Sequence, residues 1–260
     1  NEVSSILKLA NREKISVFPV GGRTGLVGGA VPDEPGIILS LEKMNKIEID
    51  QDNLMAIAEA GVTLGDLIKA VEDAGMFFPP HPGDEGAHVG GLIATNAGGV
   101  RAVKHGIMRD YVKGIEVVLP TGEVLSLGGK LLKNNMGYNL MHLMIGSEGT
   151  LGVITKAVIK LYPKSKFSVT LLVPFNRRLD AINVVPKILQ SGITPLAIEY
   201  VEEEEIEKAA EHLNEKWPVE EGKAQLIIIL TGMNEDELFS ECEEISELSL
   251  IHISEPTRPY

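Results

Sequence analysis

The sequence predicts an α+β chain of two domains, and two observations carry that prediction. From Asn1 to about Pro163, short strand-like runs are interrupted by dense glycine. After Pro163 glycine thins, and the pattern becomes strand, helix, strand, helix, strand, helix. We place the boundary near Lys164, giving a first domain over 1–163 and a second over 164–247.

The elements follow from local pattern. Val3, Ile6, Leu7 and Ala10 recur at helical spacing, so Glu2 to Glu13 reads as a helix. Ser16 to Val20 is a short strand that feeds a glycine loop. Gly36 to Leu41 and Met55 to Ala60 read as further strands. Thr63 caps a helix that places Leu64, Leu67, Ile68 and Val71 on one face, with Asp66 at the third position. Gly75 ends that helix. Gly114 to Leu127 reads as a hairpin turning through Pro120, Thr121 and Gly122, and Thr150 to Leu161 alternates like a strand. In the second domain the strands are FSVTLLVPF, PLAIEYV and AQLIIILTG. The helices after them are expected near Leu179 to Gln190, Glu202 to Trp217 and Glu235 to Glu247. The acidic run Glu202 to Glu205 suits a helix N-terminus, where the helix dipole favours negative charge.

Both ends have an unusual texture. The chain starts at Asn1, inside a predicted helix, so we expect the natural protein to extend upstream. The segment 248–260, LSLIHISEPTRPY, resembles the translation of a sequencing adapter, and we set it aside as a non-native tail.

Bulk composition excludes several classes. The net charge is −13, which argues against nucleic acid as a partner. No apolar run approaches the roughly eighteen residues that cross a bilayer. The one cysteine, Cys242, rules out an internal disulfide and any multi-cysteine metal site. It fits a reducing compartment, and we read the protein as cytoplasmic, associated with a membrane only through a partner.

Fifteen of the 27 glycines fall in three stretches, Gly21 to Gly29, Gly83 to Gly106 and Gly146 to Gly152. Glycine inside elements is destabilising by roughly 0.5–1 kcal/mol relative to alanine, so such clustering needs a cause. Close backbone approach supplies one. Successive amides without Cβ atoms form a concave donor site for phosphate oxygens. In PVGGRTGLVGGA, Arg23 would add charge and Thr24 a hydroxyl donor. The spacing matches neither the triphosphate-hydrolase loop nor the Rossmann fingerprint. From the residues alone the ligand is one bearing a diphosphate.

Three blocks, PVGGRTGLVGGAVP, HVGGLIATNAGG and NNMGYNLMHLMIGSEGTLGVIT, together resemble the FAD-linked oxidases and dehydrogenases of the vanillyl-alcohol-oxidase type. Within them the chain is most similar to the D-2-hydroxy-acid branch, which holds D-lactate dehydrogenase, the D subunit of glycolate oxidase and D-2-hydroxyglutarate dehydrogenase. The match runs in order from Asn1 to about Pro163. It implies a PCMH-type, two-lobed FAD domain, followed by the start of a ferredoxin-like α/β cap domain.

The resemblance also implies residues. The diphosphate would lie on Val20, Gly21, Gly22, Arg23, Thr24 and Gly25. Pro82, Gly83, Asp84, Gly90, Gly91, Thr95, Asn96, Gly98, Gly99 and Gly106 would line the cofactor. Glu148, Gly152, Val153 and Ile154 would close over the nucleotide, the last two through backbone groups. Val20 and Arg23 depart from the family, which often has a basic residue before the first glycine and a small one at the arginine position. Arg23 therefore has two readings, a phosphate contact or a solvent-facing flank. Relatives that tether FAD use a histidine in this loop; Pro19 to Ala30 has none, so FAD is expected to bind non-covalently.

His81 and His88, seven apart, lack further ligands for a metal site, and the alternative for them is a place near flavin or substrate. His105 adjoins Gly106 in the matched block, and His142 sits in an apolar helical run. The activity implied is oxidation of a small D-2-hydroxy acid to the 2-oxo acid by hydride transfer to flavin. Two other readings stay open: a non-catalytic FAD-binding subunit of a multi-subunit complex, and a transferase of the alkyl-glycerone-phosphate-synthase type. An iron–sulfur or other electron-transfer partner is implied, as is a divalent metal held by the later part of the cap. No catalytic acid or base is assigned within this chain.

Overall fold

The computed structural model of the protein describes residues 1–219 and 221–254. Residues 255–260, within the segment set aside above, lie outside the described residues. The chain divides into two compact units. One holds Asn1–Gly99 with Gly106–Lys164, and the other holds Val100–His105 with the chain from Ser165 onward.

The first unit opens with α1 (Glu2–Glu13), which buries Val3, Leu7 and Ala10. Lys14 takes a left-handed conformation and its N–H closes the helix on the Ala10 carbonyl. Then β1 (Ser16–Val20) pairs in parallel with β2 (Gly36–Ser40). Two strands follow, β3 (Ile47–Asp50) and β4 (Met55–Glu59). The helix α2 (Leu64–Asp73) starts as its sequence dictates, with the Thr63 hydroxyl accepting from the Asp66 N–H at 3.0 Å and donating to its carboxylate at 2.8 Å. Gly75, at φ +73°, turns the chain into β5 (Met76–Phe77).

Next come α3 (Val89–Ala94), the short α4 (Ala102–His105) of the other unit, and α5 (Met108–Tyr111). The hairpin of β6 (Val112–Val118) and β7 (Val124–Gly128) follows, then α6 (Leu140–Met144), β8 (Val153–Lys160) and β9 (Tyr162–Pro163). The five-stranded sheet has the order β3-β4-β8-β6-β7, and every neighbouring pair is antiparallel. β5 and β9 form a separate antiparallel pair. The main core lies between this sheet and helices α2, α3 and α5, with Leu64, Leu67, Val71, Ile93, Met108 and Ile159 at its centre. A smaller cluster joins α1 to β2 through Val3, Leu7, Leu39 and Leu41.

The second unit contains β10 (Phe167–Phe175), α7 (Arg178–Gln190), β11 (Ala197–Glu202), α8 (Glu203–Leu213), β12 (Ala224–Gly232) and α9 (Glu235–Ser254). β12 lies between β10 and β11, antiparallel to both. Its core is built from Phe175, Val184, Ile188, Leu226, Ile228, Leu238 and Ile245. Lys104 on α4 reaches the Thr231 carbonyl at 3.4 Å.

Two helix ends differ from the sequence expectation. The acidic helix stops at Leu213 rather than Trp217, because Asn214 adopts φ 52° and its N–H closes on the carbonyls of Ala210 and Glu211. Trp217 instead donates its indole N–H to Gln225 Oε1 at 2.8 Å. α9 continues past Glu247 to Ser254, where Ser249 is buried and its hydroxyl donates to the Ile245 carbonyl at 2.7 Å.

Candidate functional site

The three glycine stretches meet around α3, and backbone hydrogen bonds set each one in place. The Val89 and Gly90 amides donate to the carbonyls of Val62 and Ala60, both at 2.8 Å, which pins the start of α3 beside β4. A Cβ on Gly90 would sit 2.7 Å from the Ala60 side chain, so only glycine allows this approach. At the other end of α3, the Gly146 N–H donates to the Ile93 carbonyl at 3.1 Å and the Glu148 N–H to the Ala94 carbonyl at 2.9 Å. The first stretch abuts the turn before α3: a Cβ on Gly22 would collide with the Gly86 carbonyl oxygen. That turn is closed by the Gly86 N–H donating to Asp84 Oδ1 at 2.8 Å.

These stretches wall a groove in the first unit. One part, of about 300 Å³, is lined by Gly21, Gly22, Arg23, Thr24 and Gly25 on one side and by Pro82, Asp84, His88, Gly91, Thr95 and Glu148 on the other. A narrower part, of about 70 Å³, continues past Val20, Gly90, Gly152, Val153 and Ile154. A third, of about 390 Å³, lies between α1, β1 and the chain at Gly149 to Val153. Pro19 borders all three. The result is a long and segmented cleft rather than a round cavity.

Glycines here divide into two kinds. Gly25 and Gly91 have nothing within 4 Å of where a Cβ would be, and both line the groove. Added side chains would occupy space that a ligand could use. Gly98, Gly99 and Gly106 do not line the groove. A Cβ on Gly98 would meet Ile107 at 3.3 Å, one on Gly99 would collide with the His81 carbonyl, and one on Gly106 with the Asp110 carboxylate. Asn96, at φ 51°, also stands outside the lining and accepts the Arg109 N–H on Oδ1 at 3.0 Å. Gly83, at φ +92°, serves the turn before Asp84. Arg23 is exposed at φ 59°, yet it borders the groove.

The groove also enlists residues outside the expected set, among them Pro19, Ala30, Ala87, Leu92 and Ala94, and it includes His88, one of the two histidines for which a place near the flavin is the alternative reading. The apolar members carry no chemical signal that a sequence would display. Two buried side-chain nitrogens lack a hydrogen-bond partner among the described residues, His88 Nδ1 and Arg109 Nε. Arg109 nonetheless holds the third stretch, with Nη2 donating to the Ile145 carbonyl at 3.2 Å. Burial lowers the pKa of His142, and the cations Arg109 and Lys113 add to the shift. Burial likewise lowers His105, with Lys104 and Arg101 contributing. His81 lies 3.5 Å from Glu85. Among the described residues no group of three or more His, Cys, Asp and Glu is placed to hold a metal ion.

A groove with bare main-chain walls, two open glycines, one bordering arginine and an orphaned histidine nitrogen fits an elongated, diphosphate-bearing ligand. Residues 1–128 match the family described as FAD binding domain, and residues 164–254 match FAD linked oxidases, C-terminal domain. The chain belongs to the FAD-linked oxidases. This FAD-linked oxidase chain is 49% identical to D-lactate dehydrogenase of Archaeoglobus fulgidus over 248 residues, 95% of this chain and 54% of that protein. It is 42% identical to glycolate oxidase subunit GlcD of Bacillus subtilis over 205 residues, 78% of this chain and 44% of that one. It is 41% identical to D-2-hydroxyglutarate dehydrogenase of Xanthomonas citri pv. viticola over 162 residues, 62% of this chain and 34% of that one. The chain thus spans about half the length, or less, of these curated relatives. A solved alkyldihydroxyacetonephosphate synthase superposes with a TM-score of 0.80 at 23% identity, covering 97% of this chain and 49% of that one, which shows a shared fold. Among the described residues no helix is long and apolar enough to cross a membrane.

Proposed function

We propose that the protein oxidises a small D-2-hydroxy acid to the 2-oxo acid with FAD, and that this chain supplies the cofactor site. The segmented groove bordered by Pro19 carries the reading, because two of its parts bring Gly21, Gly22, Gly25, Gly90 and Gly91 to the wall, where a dinucleotide can lie close to the main chain. The relatives supply the substrate class, since two of them, at 49% and 44% identity, are named D-lactate dehydrogenase.

FAD, when bound, supplies a hydride acceptor at flavin N5. The amides from Gly21 to Gly25 donate to its diphosphate, and Arg23 sets a positive charge beside them. Glu148 presents a carboxylate as a hydrogen-bond acceptor. Val153 and Ile154 offer backbone groups where β8 begins. Ala87, Leu92 and Ala94 give the wide part of the groove an apolar patch of wall.

Oxidation of an alcohol beside a carboxylate also needs a base for the hydroxyl proton and a cation to orient the acid. We assign neither within this chain, and we place both, with the divalent metal, in the remainder of the cap domain. The relative named as a glycolate oxidase subunit supports a partner subunit, and we assign to that partner the transfer of electrons from the reduced flavin.

Stopped-flow absorbance tests the reading. The chain with FAD should show flavin bands and stay oxidised on mixing with D-lactate, D-2-hydroxyglutarate or glycolate. The full-length protein should be bleached by a D-2-hydroxy acid and not by its L enantiomer. A full-length protein left oxidised by every D-2-hydroxy acid overturns the assignment in favour of a non-catalytic flavin subunit.

A further inference from the structure

We infer that residues 98–107 form a tether that carries the ordering effect of a bound dinucleotide from the groove into the second unit; this rests on the cofactor reading above. The chain passes between the two units at Gly99–Val100, at His105–Gly106 and at Lys164–Ser165. The last passage joins one domain to the next. The first two bound an excursion, Val100–His105, that leaves the first unit and returns to it. Ordering every residue of such a loop costs backbone entropy, so both its neck and its tip need contacts.

The neck is pinned beside the groove. The Met108 N–H donates to the Ala97 carbonyl and the Arg109 N–H to Asn96 Oδ1, both at 3.0 Å. The Ile107 N–H donates to Asp110 Oδ2 at 2.8 Å. Gly106 returns the chain at φ +76°, where a side chain would be strained and would collide with the Asp110 carboxylate. Gly99 runs so close to the His81 carbonyl that a Cβ would not fit. Thr95 and Ala97 both line the wide part of the groove. The residue whose carbonyl closes the neck is therefore also groove wall.

The tip is anchored in the second unit. It folds as α4, with the Lys104 and His105 N–H groups donating to the Arg101 carbonyl at 3.3 and 3.0 Å. α4 lies against β11. Lys104 Nζ donates to the carbonyl of Thr231 on β12, the central strand of that sheet. Three peptide links join Ala97 to Val100, a span of at most about 11 Å. A ligand seated on Thr95 and Ala97 restricts the neck, and a restricted neck restricts α4. Ordering transmitted in this way needs no displacement of either unit. The Lys164–Ser165 passage offers no such route. Lys164 bonds to the Gly75 carbonyl and to Glu72, and neither borders any part of the groove.

Hydrogen exchange read by mass spectrometry, on this chain with and without FAD, tests the tether. A ligand protects a segment only where opening of that segment weakens binding. FAD should slow exchange about fivefold or more in β11 and β12 as well as around the groove. Replacing Val100–His105 by alternating glycine and serine of the same length should abolish the slowing in β11 and β12 and leave that around the groove. Lys104→Met keeps the stem and removes the donor; it should reduce the slowing, and it carries the test if the replaced chain does not fold. FAD bound without slowing in β11 and β12 overturns the inference while the cofactor reading stands. Equal slowing in the parent and in every folded variant overturns it as well. Loss of FAD binding by the replaced chain would make the loop a wall of the cofactor site and has the same consequence. Failure of the parent chain to bind FAD overturns both readings.

Discussion

The Glu148 N–H donates to the Ala94 carbonyl at 2.9 Å, and this bond sets the third glycine stretch on the end of α3. Glu148 holds φ 52° there, a conformation that costs a non-glycine residue about 1 kcal/mol. That strain places its carboxylate by Gly29, on the far rim of the groove, where a Cβ would lie 3.5 Å from Oε2. Glu148→Gly should relieve the backbone and keep the amide bond, raising the melting temperature by a few degrees. The same change should lower FAD affinity about tenfold through loss of the acceptor. Calorimetry and fluorescence titration on one sample read both effects, and unaltered affinity would mean the carboxylate does not meet the cofactor.

Gly22 and Gly91 should respond oppositely to alanine. At Gly22 the new Cβ collides with the Gly86 carbonyl, so the loop must move and the fold loses stability, by about 1–3 kcal/mol. At Gly91 the methyl meets nothing within 4 Å, and alanine in α3 gains up to about 1 kcal/mol of helix propensity. Gly91→Ala should therefore melt no lower than the parent yet bind FAD more weakly. Urea unfolding with a parallel FAD titration checks the contrast.

Arg109 ties α5 to the segment before Glu148 through Nη2 and the Ile145 carbonyl. Arg109→Ala should cost about 1–3 kcal/mol in chemical denaturation, because the carbonyl loses its charged donor. Arg109→Lys should recover part of that loss, since an ammonium can still reach one carbonyl. Identical stability of the alanine and lysine forms would assign the residue to packing alone.

The pH dependence of stability should show His142. Its pKa is lowered in the folded chain by burial first, then by Arg109 and Lys113, with Asp110 acting in the opposite direction. As pH falls through the ordinary value of 6.5, the unfolded chain binds a proton that the folded chain does not. Stability therefore declines on acidification through that window and levels off below the folded pKa. His142→Gln should remove this part of the slope, as thermal melts between about pH 7.5 and 5 would report.

Much of the secondary structure was legible because its cues are local. Val3, Leu7 and Ala10 marked α1, Thr63 and Asp66 marked the start of α2, and AQLIIILTG marked β12 over the bounds it adopts. The elements that escaped are β3, β5, β9, α3, α4 and α5, all of six residues or fewer. Such runs are too short for a period to repeat. The early stop at Asn214 also escaped, because a left-handed asparagine is a choice made by the folded chain.

By itself the sequence determined that three glycine-rich stretches exist, that they lie in the first part of the chain, and that a diphosphate-bearing ligand would explain them. Only the tertiary structure decided which of those glycines border open space, as Gly25 and Gly91 do, and which admit another strand of backbone, as Gly22 and Gly99 do. It also decided that Val100–His105 packs with the second unit, and that His88 lies on the glycine loop. The physical reason is one of range. A periodic pattern is set by neighbours a few residues away, whereas the use of a missing Cβ is set by whatever distant segment the fold brings against it.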